Sequence, residues 1–287
     1  MMKRRFISMI VVLALAPPAI AQVEEGDLHW SQRAEEARGQ DAKPHEIDAA
    51  IDAYRKAIEA HPADLEARWK LMRAFRFKAS YTGVVREQKR AIYDQAKQFG
   101  EEGMAVLEKL LREKGVANPR DADEKRVASI AQSIPHAGEF YFWDSVSWGE
   151  WALVFGKFAA VRQGAAGKIR REATIAMLVD PSIENGGPAR VLGRLHNQTP
   201  RIPFITGWAS DREAVKLLRE SLEQDPHNKL TKVFLAEALV ADRASAKPEA
   251  VKILREVMHA KNDPEWEVED AAATEDARAM LRDWGQL

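Results

Sequence analysis

The chain has 287 residues, with 43 lysines and arginines against 44 aspartates and glutamates, a formal net charge of −1. A balance this even, spread along the sequence, sets nucleic acid and anionic membrane surfaces aside as partners. There is no cysteine, so no disulfide framework, thiol nucleophile or cysteine lipid anchor is available, and stability has to come from packing.

The first residues read as an export signal. Lys3, Arg4 and Arg5 form a basic start, and Phe6 to Ala16 form an apolar run too short to span a bilayer comfortably. Pro17 to Ala21 then supply a small-residue exit, which places cleavage after Ala21 and the protein in the periplasm or outside the cell. The residues after Arg5 fit the twin-arginine pattern poorly, so the general route is expected. Residues 22–43 are polar and charged, with Trp30 the sole large aromatic, and are expected to be flexible or to cap the first helix. The ordered domain is expected over 44–287.

From Pro44 onward charged residues recur at helical spacing and alternating β-branched runs are absent, so the expected fold is all-α. Ala50, Tyr54, Ala57 and Pro62 have the spacing A-x3-Y-x2-A-x4-P, the second half of a tetratricopeptide repeat, and Leu71, Met72 and Phe75 fit the first half of the next. Small alanines let two helices approach closely, the tyrosine fills the gap, and the proline stops the second helix. The pattern returns at Ala173, Ala176 and Pro181, followed by Leu192, Gly193 and His196. It returns again at Ala214, Leu218, Ser221 and Pro226, followed by Leu235, Ala236 and Leu239, and more loosely from Ala250 to Pro264. The spacing of the prolines departs from the period of about 34 residues, so the array is degenerate and carries insertions. Paired antiparallel helices stacked into a solenoid with a concave face, with extra helices and a long loop, are the expected architecture. Gln88 to Lys114 reads as one long helix, and Asn118 to Gly138 as a connection holding a short helix capped by Asp121 or Asp123.

Two stretches depart from a plain array. In Glu139 to Arg171, four aromatics (Phe140 to Trp143) precede an expected turn at Asp144 to Ser147. Trp148, Trp151, Phe155, Phe158 and Arg162 then recur every three or four residues, on one helix face. This stripe is either core or, in part, the wall of a cavity for an organic molecule, in which case Trp143, Trp148, Trp151, Phe155 and Arg162 are candidate ligand contacts. The second stretch, Asn197 to Asp211, falls where a repeat has only a tight turn, and its apolar content makes it a lid or a packed Ω-loop.

A search for chemistry leaves no catalytic constellation. His45-Glu46 lacks the second histidine of a zinc protease, and there is no phosphate-binding glycine loop or G-x-S-x-G elbow. The seven histidines are scattered singly, which predicts no metal site, and no cofactor is implied. The strongest polar candidate is Gly186-Gly187-Pro188, a helix start, followed by Arg190 and Arg194 one turn apart. Together the two arginines suit the carboxylate of an otherwise apolar ligand. Alternatively they pair with Glu150, Glu172 or Asp180 in ordinary salt bridges.

Phe142-Trp143 with Trp148-Gly149-Glu150-Trp151, the Gly186 to His196 segment and Phe234 to Leu239 give the chain a resemblance to the TRAP-transporter-associated tetratricopeptide proteins, the T-component family, over roughly Pro44 to Ala260. The resemblance implies a non-enzymatic periplasmic helper that partners the solute-binding subunit of a TRAP-type transporter. It also implies a possible homotrimer with an internal cavity for an amphipathic ligand. The absence of a cysteine after the signal departs from the lipoprotein pattern of that family. The competing expectation is a tetratricopeptide scaffold for protein–protein interaction in the cell envelope, with no small-molecule ligand.

Overall fold

A computed structural model describes residues 18–287; the basic start and apolar run read as an export signal lie outside the described residues. The described residues form thirteen α-helices and two single-turn 3-10 helices with no strand among them, the all-α, tetratricopeptide-like architecture expected from the repeat spacing. Five helical hairpins follow one another. They pair α1 (Pro18–Ser31) with α2 (Pro44–Ala60), α3 (Leu65–Tyr81) with α4 (Arg86–Glu113), α6 (Ala137–Phe155) with α8 (Ala165–Val179), α9 (Gly187–Gln198) with α10 (Asp211–Gln224), and α11 (Lys229–Asp242) with α12 (Lys247–His259). The last helix is α13 (Glu267–Asp283), and α5 (Glu124–Ala131) and α7 (Lys157–Arg162) are additions to the array.

The helix ends follow from short polar side chains. Asp64 starts α3 by accepting from the backbone N–H of Glu66 (2.8 Å) and Ala67 (3.2 Å), which satisfies donors a helix start leaves orphaned. Asp123, Ser210 and Asn228 do the same for α5, α10 and α11. The repeat residues pack as their sizes require: Ala50, Tyr54 and Ala57 are fully buried, as are Ala173, Ala176, Ala214, Leu218 and Ala236. A methyl group on Gly193 would come within 2.6 Å of Leu218, so α9 and α10 can approach this closely only with glycine there.

Residues 22–43, expected to be flexible or to cap the first helix, differ from that reading. The first hairpin begins at Pro18, so the expected cleavage point after Ala21 falls inside α1. Val23 and Gly26 are buried, and Asp27 accepts from Tyr54 Oη (2.8 Å) and Lys70 Nζ (2.6 Å). The ring of Tyr54 occupies the space that a Cβ on Gly26 would fill, 2.4 Å away.

The array turns far enough to meet itself. α13 packs against α3, and Arg33, just past α1, reaches the other end of the chain. Its guanidinium donates to Glu269 Oε1 (3.2 and 3.1 Å) and to the Glu265 carbonyl (2.5 Å), and lies over the rings of Trp30 (4.3 Å) and Trp266 (5.3 Å). Arg33 is 4% exposed, so this contact is a buried ion pair with its remaining donors directed to neighbours. The concave face formed by α3, α6, α9, α11 and α13 thereby becomes the inner wall of a cavity.

Candidate functional site

The site is built around α6. The sequence predicts a turn at Asp144 to Ser147, but α6 runs unbroken from Ala137 to Phe155. The serine hydroxyls bond backwards along the helix, Ser145 to the Phe142 carbonyl (2.6 Å) and Ser147 to the Trp143 carbonyl (2.9 Å), so neither needs a turn to satisfy itself. Asp144 is 1% exposed, and its carboxyl faces that of buried Glu172 on α8. Burial raises the pKa of Asp144 to about 7, opposed by hydrogen bonding to Glu172, with Glu101 adding to the rise and Lys168 and Lys97 opposing it. Burial and the adjoining Asp144 carboxyl push Glu172 up as well. Asp144 Oδ1 and Glu172 Oε2 find no other hydrogen-bond donor, and one proton held between them satisfies both. With α3, α4, α8 and α9 packed on it, α6 is apolar nearly all round and belongs to the core as a central helix.

The stripe that the sequence places on one face therefore divides. Trp148 (1% exposed) and Trp151 (5% exposed) are core, turned toward α4 and α8. The indole of Trp151 donates to Asp94 Oδ1 (3.0 Å), and Lys168 Nζ and Lys97 Nζ sit 3.9 and 4.7 Å over the Trp148 ring. Phe155 stacks on Trp151 with ring centroids 4.7 Å apart. At Gly156 φ is +91°, a conformation that L side chains rarely adopt, and the helix ends there. Phe158 and Arg162 then belong to α7, both exposed, and Arg162 is not on the cavity wall. Of the aromatic candidates, only Trp143 faces the cavity, together with Phe142, Val146, Gly149, Glu150 and Leu153, a face of α6 rotated away from the stripe.

The cavity has a volume of about 1220 Å³ and opposite characters at its two ends. The inner helices run in the same direction, so their starts gather at one end and their finishes at the other. The connections that lead into α9, α11 and α13 bring Asn185, Asp225, Asn228, Lys261 and Asn262 to the polar end. The apolar end is made chiefly by Leu153, Val161 and Ala165 with Ile202, Ile205 and Trp208 of the loop after α9, with Ser80, Lys157, Gln198 and Thr199 at its edge. That loop is held by its own side chains: Thr206 Oγ1 donates to the Pro200 carbonyl (2.5 Å) and accepts from the Ile202 N–H (3.0 Å), and Arg201 donates to the Ala209 carbonyl (2.8 Å). Trp208 lies edge-on to His196 and under Arg170. The loop is at once a packed Ω-loop and one wall of the cavity.

Five arginines project between the inner helices, and four have a glutamate. Arg33 pairs with Glu269 (3.1 Å), Arg73 with Glu184 (4.0 Å), Arg76 with Glu150 (3.0 Å) and Arg194 with Glu237. The fifth, Arg190, is held by neutral acceptors: the carbonyls of Glu184 (3.0 Å) and Asn185 (3.4 Å) and the hydroxyl of Thr231 (3.3 Å). Burial lowers its pKa to about 10, with the Glu184 carboxylate pulling the other way, so it is cationic at neutral pH. The arrangement aims a charged guanidinium into the polar end of the cavity with no carboxylate in ion-pair contact, although Glu184 and Asp225 stand near enough to favour its charge.

Both sequence-predicted arginines thus reach the wall, one free and one committed to Glu237, which is none of the partners expected from sequence. Sequence reasoning missed Arg76 and the contribution of α13, and named Glu150 only as a partner for Arg190 or Arg194, because a wall assembled from five helices leaves no local motif. Among the described residues no cluster of side chains is arranged to hold a metal ion.

A scan against protein-family models found no match, and a search of curated proteins found none either. The resemblance to the transporter-associated family receives no support there. Among solved structures, the chain is similar to the TPR2AB-domain:pHSP90-complex of yeast Sti1, at 14% identity and a TM-score of 0.32, over 93% of this chain and 98% of that one.

Proposed function

We propose that this protein holds an amphipathic organic acid in its central cavity. In this reading it is an exported, non-enzymatic accessory of solute uptake that shares its ligand with the solute-binding subunit of a TRAP-type transporter. The observation that carries the ligand is Arg190, a guanidinium without a carboxylate partner in a cavity whose other inner arginines all have one. A half-buried cation left so can serve as a binding determinant for an anion, and the bidentate geometry of guanidinium suits a carboxylate. The apolar end, under the loop at 199–208, suits the body of such a ligand. Export and the transporter partnership rest on the signal-like start and the family resemblance. Native mass spectrometry on gently purified protein tests the ligand. A retained organic mass should be present in the wild type, absent in Arg190→Met, and unchanged in Arg219→Met, whose side chain pairs with exposed Glu249 (2.9 Å). A mass that survives Arg190→Met removes this site.

The hairpin-repeat architecture itself favours a second reading, an interaction scaffold of the cell envelope that needs no small molecule. Ligand-free protein that captures an envelope protein would favour it, and the same spectra report whether the subunits form a trimer.

A further inference from the structure

The apolar end of the cavity opens at a surface that is apolar and cationic together. Phe158 is 85% exposed and Phe204 fully exposed, and beside them Leu153, Val161 and Ile205 are exposed where they border the cavity mouth. Phe204 also sits at φ +65°, in the left-handed region that a bulky side chain avoids. A residue that is both strained and bare of cover points to a role outside the fold's own packing.

The charge around this patch is not that of the whole chain. From Trp151 to Arg171 there are five basic residues and no acid. Lys168, Arg170 and Arg171 are occupied, stacked on Trp148, on Trp208, and bonded to the Pro119 and Ala122 carbonyls. Lys157 and Arg162, on α7 with Phe158 and Val161, are exposed and have no hydrogen-bond or ion-pair partner among the described residues. Of the acids near that end, Glu101 is paired with Lys97, Glu150 with Arg76 and Glu213 with Lys216, while Asp94 and Asp211 accept from the Trp151 indole and the Asn197 amide.

We propose that the apolar mouth of the cavity docks on an anionic lipid surface, with Phe158 and Phe204 inserted at the headgroup boundary and Lys157 and Arg162 against the lipid charges. Exposed aromatic and aliphatic groups beside unpaired cations are what interfacial binding requires. No helix among the described residues is long and apolar enough to cross a membrane, so the contact is with the surface. The even overall charge hid this possibility in the sequence, because the charge that matters is local. The inference does not depend on the identity of the ligand.

Co-sedimentation of the full chain with vesicles tests it, using phosphatidylcholine alone or mixed with phosphatidylglycerol. The wild type should bind the mixed vesicles, bind phosphatidylcholine weakly, and release as salt is raised. Each basic residue near an anionic surface contributes roughly fivefold in partition, so Lys157→Glu with Arg162→Glu should lower binding by at least about tenfold. Phe158→Ser with Phe204→Ser should lower it comparably. Circular dichroism should be unchanged in both, since all four side chains are exposed. Equal binding to the two vesicle types overturns the proposal, and so does binding that neither double variant reduces, which would locate the contact elsewhere on the chain. Self-association without vesicle binding, abolished by the phenylalanine substitutions, would assign the patch to a second copy instead.

Discussion

At the scale of single residues, the consequences come from charges whose surroundings differ from water. Asp144 and Glu172 hold their protons more tightly in the folded chain than they would unfolded, because burial disfavours the charged forms. Their contribution to stability is therefore complete below the ordinary carboxylate range and is lost as pH rises through the raised folded-state values, about 7 for Asp144 and upward for Glu172. The groups that face them are Lys97 and Glu101 of α4 and Lys168 and Arg171 of α8. Thermal unfolding is expected to show a lower melting temperature at pH 8 than at pH 6, and Asp144→Asn, which keeps the shape and removes the charge, should flatten that difference. A melting temperature that rises across the interval would refute the shared proton. None of this was legible in the sequence, where Asp144 among two serines resembled a turn; its burial depends on Gly100 of α4, whose missing side chain leaves room for the carboxyl.

At the scale of elements, α6 and the loop after α9 carry the site, and each has its own test. Trp148 is a fully buried part of α6, and deleting a ring of that size from a core costs about 3–5 kcal/mol. Trp148→Ala is thus expected to lower unfolding free energy by about that amount in chemical denaturation, whereas replacement of exposed Phe158 should change it little. In the loop, Thr206→Val removes a hydroxyl that both donates and accepts, and an unsatisfied backbone group costs about 1–3 kcal/mol. The change should appear as faster hydrogen exchange over 200–208 with α9 and α10 unaffected; unchanged protection would mean that the loop is held by packing alone. The helical period in the aromatic stripe was readable from spacing, but not which side of α6 met the cavity. A helix with large side chains on every face gives periodicity no preferred direction, and the neighbours α4 and α8 decided it.

At the scale of the whole molecule, the cavity exists because the two ends of the array meet. Arg33 holds that contact, and removing one member of a buried ion pair leaves the other charged and unpaired, at a cost of about 3–5 kcal/mol. Arg33→Met is expected to destabilise the protein by about that much and to raise hydrogen exchange first in α13, the helix that carries Glu269. Loss of ligand retention together with this local opening would link closure to binding. Uniform exchange across the chain would show that Arg33 stabilises the fold without acting as its clasp.

Elements that depend on near neighbours were legible in the sequence: helical hairpins from repeat spacing, the start of the short helix α5 from Asp121 or Asp123, and two insertions. The sequence also located Arg190 and Arg194 one turn apart, since that is a matter of helical period. Tertiary structure alone decided that Arg190 lacks a carboxylate while Arg194 meets Glu237, that Trp148 and Trp151 are core, and that α1 completes the first hairpin. These outcomes turn on residues distant in sequence, brought together when small rotations between successive hairpins add up until α13 meets α3. No local pattern encodes such a sum.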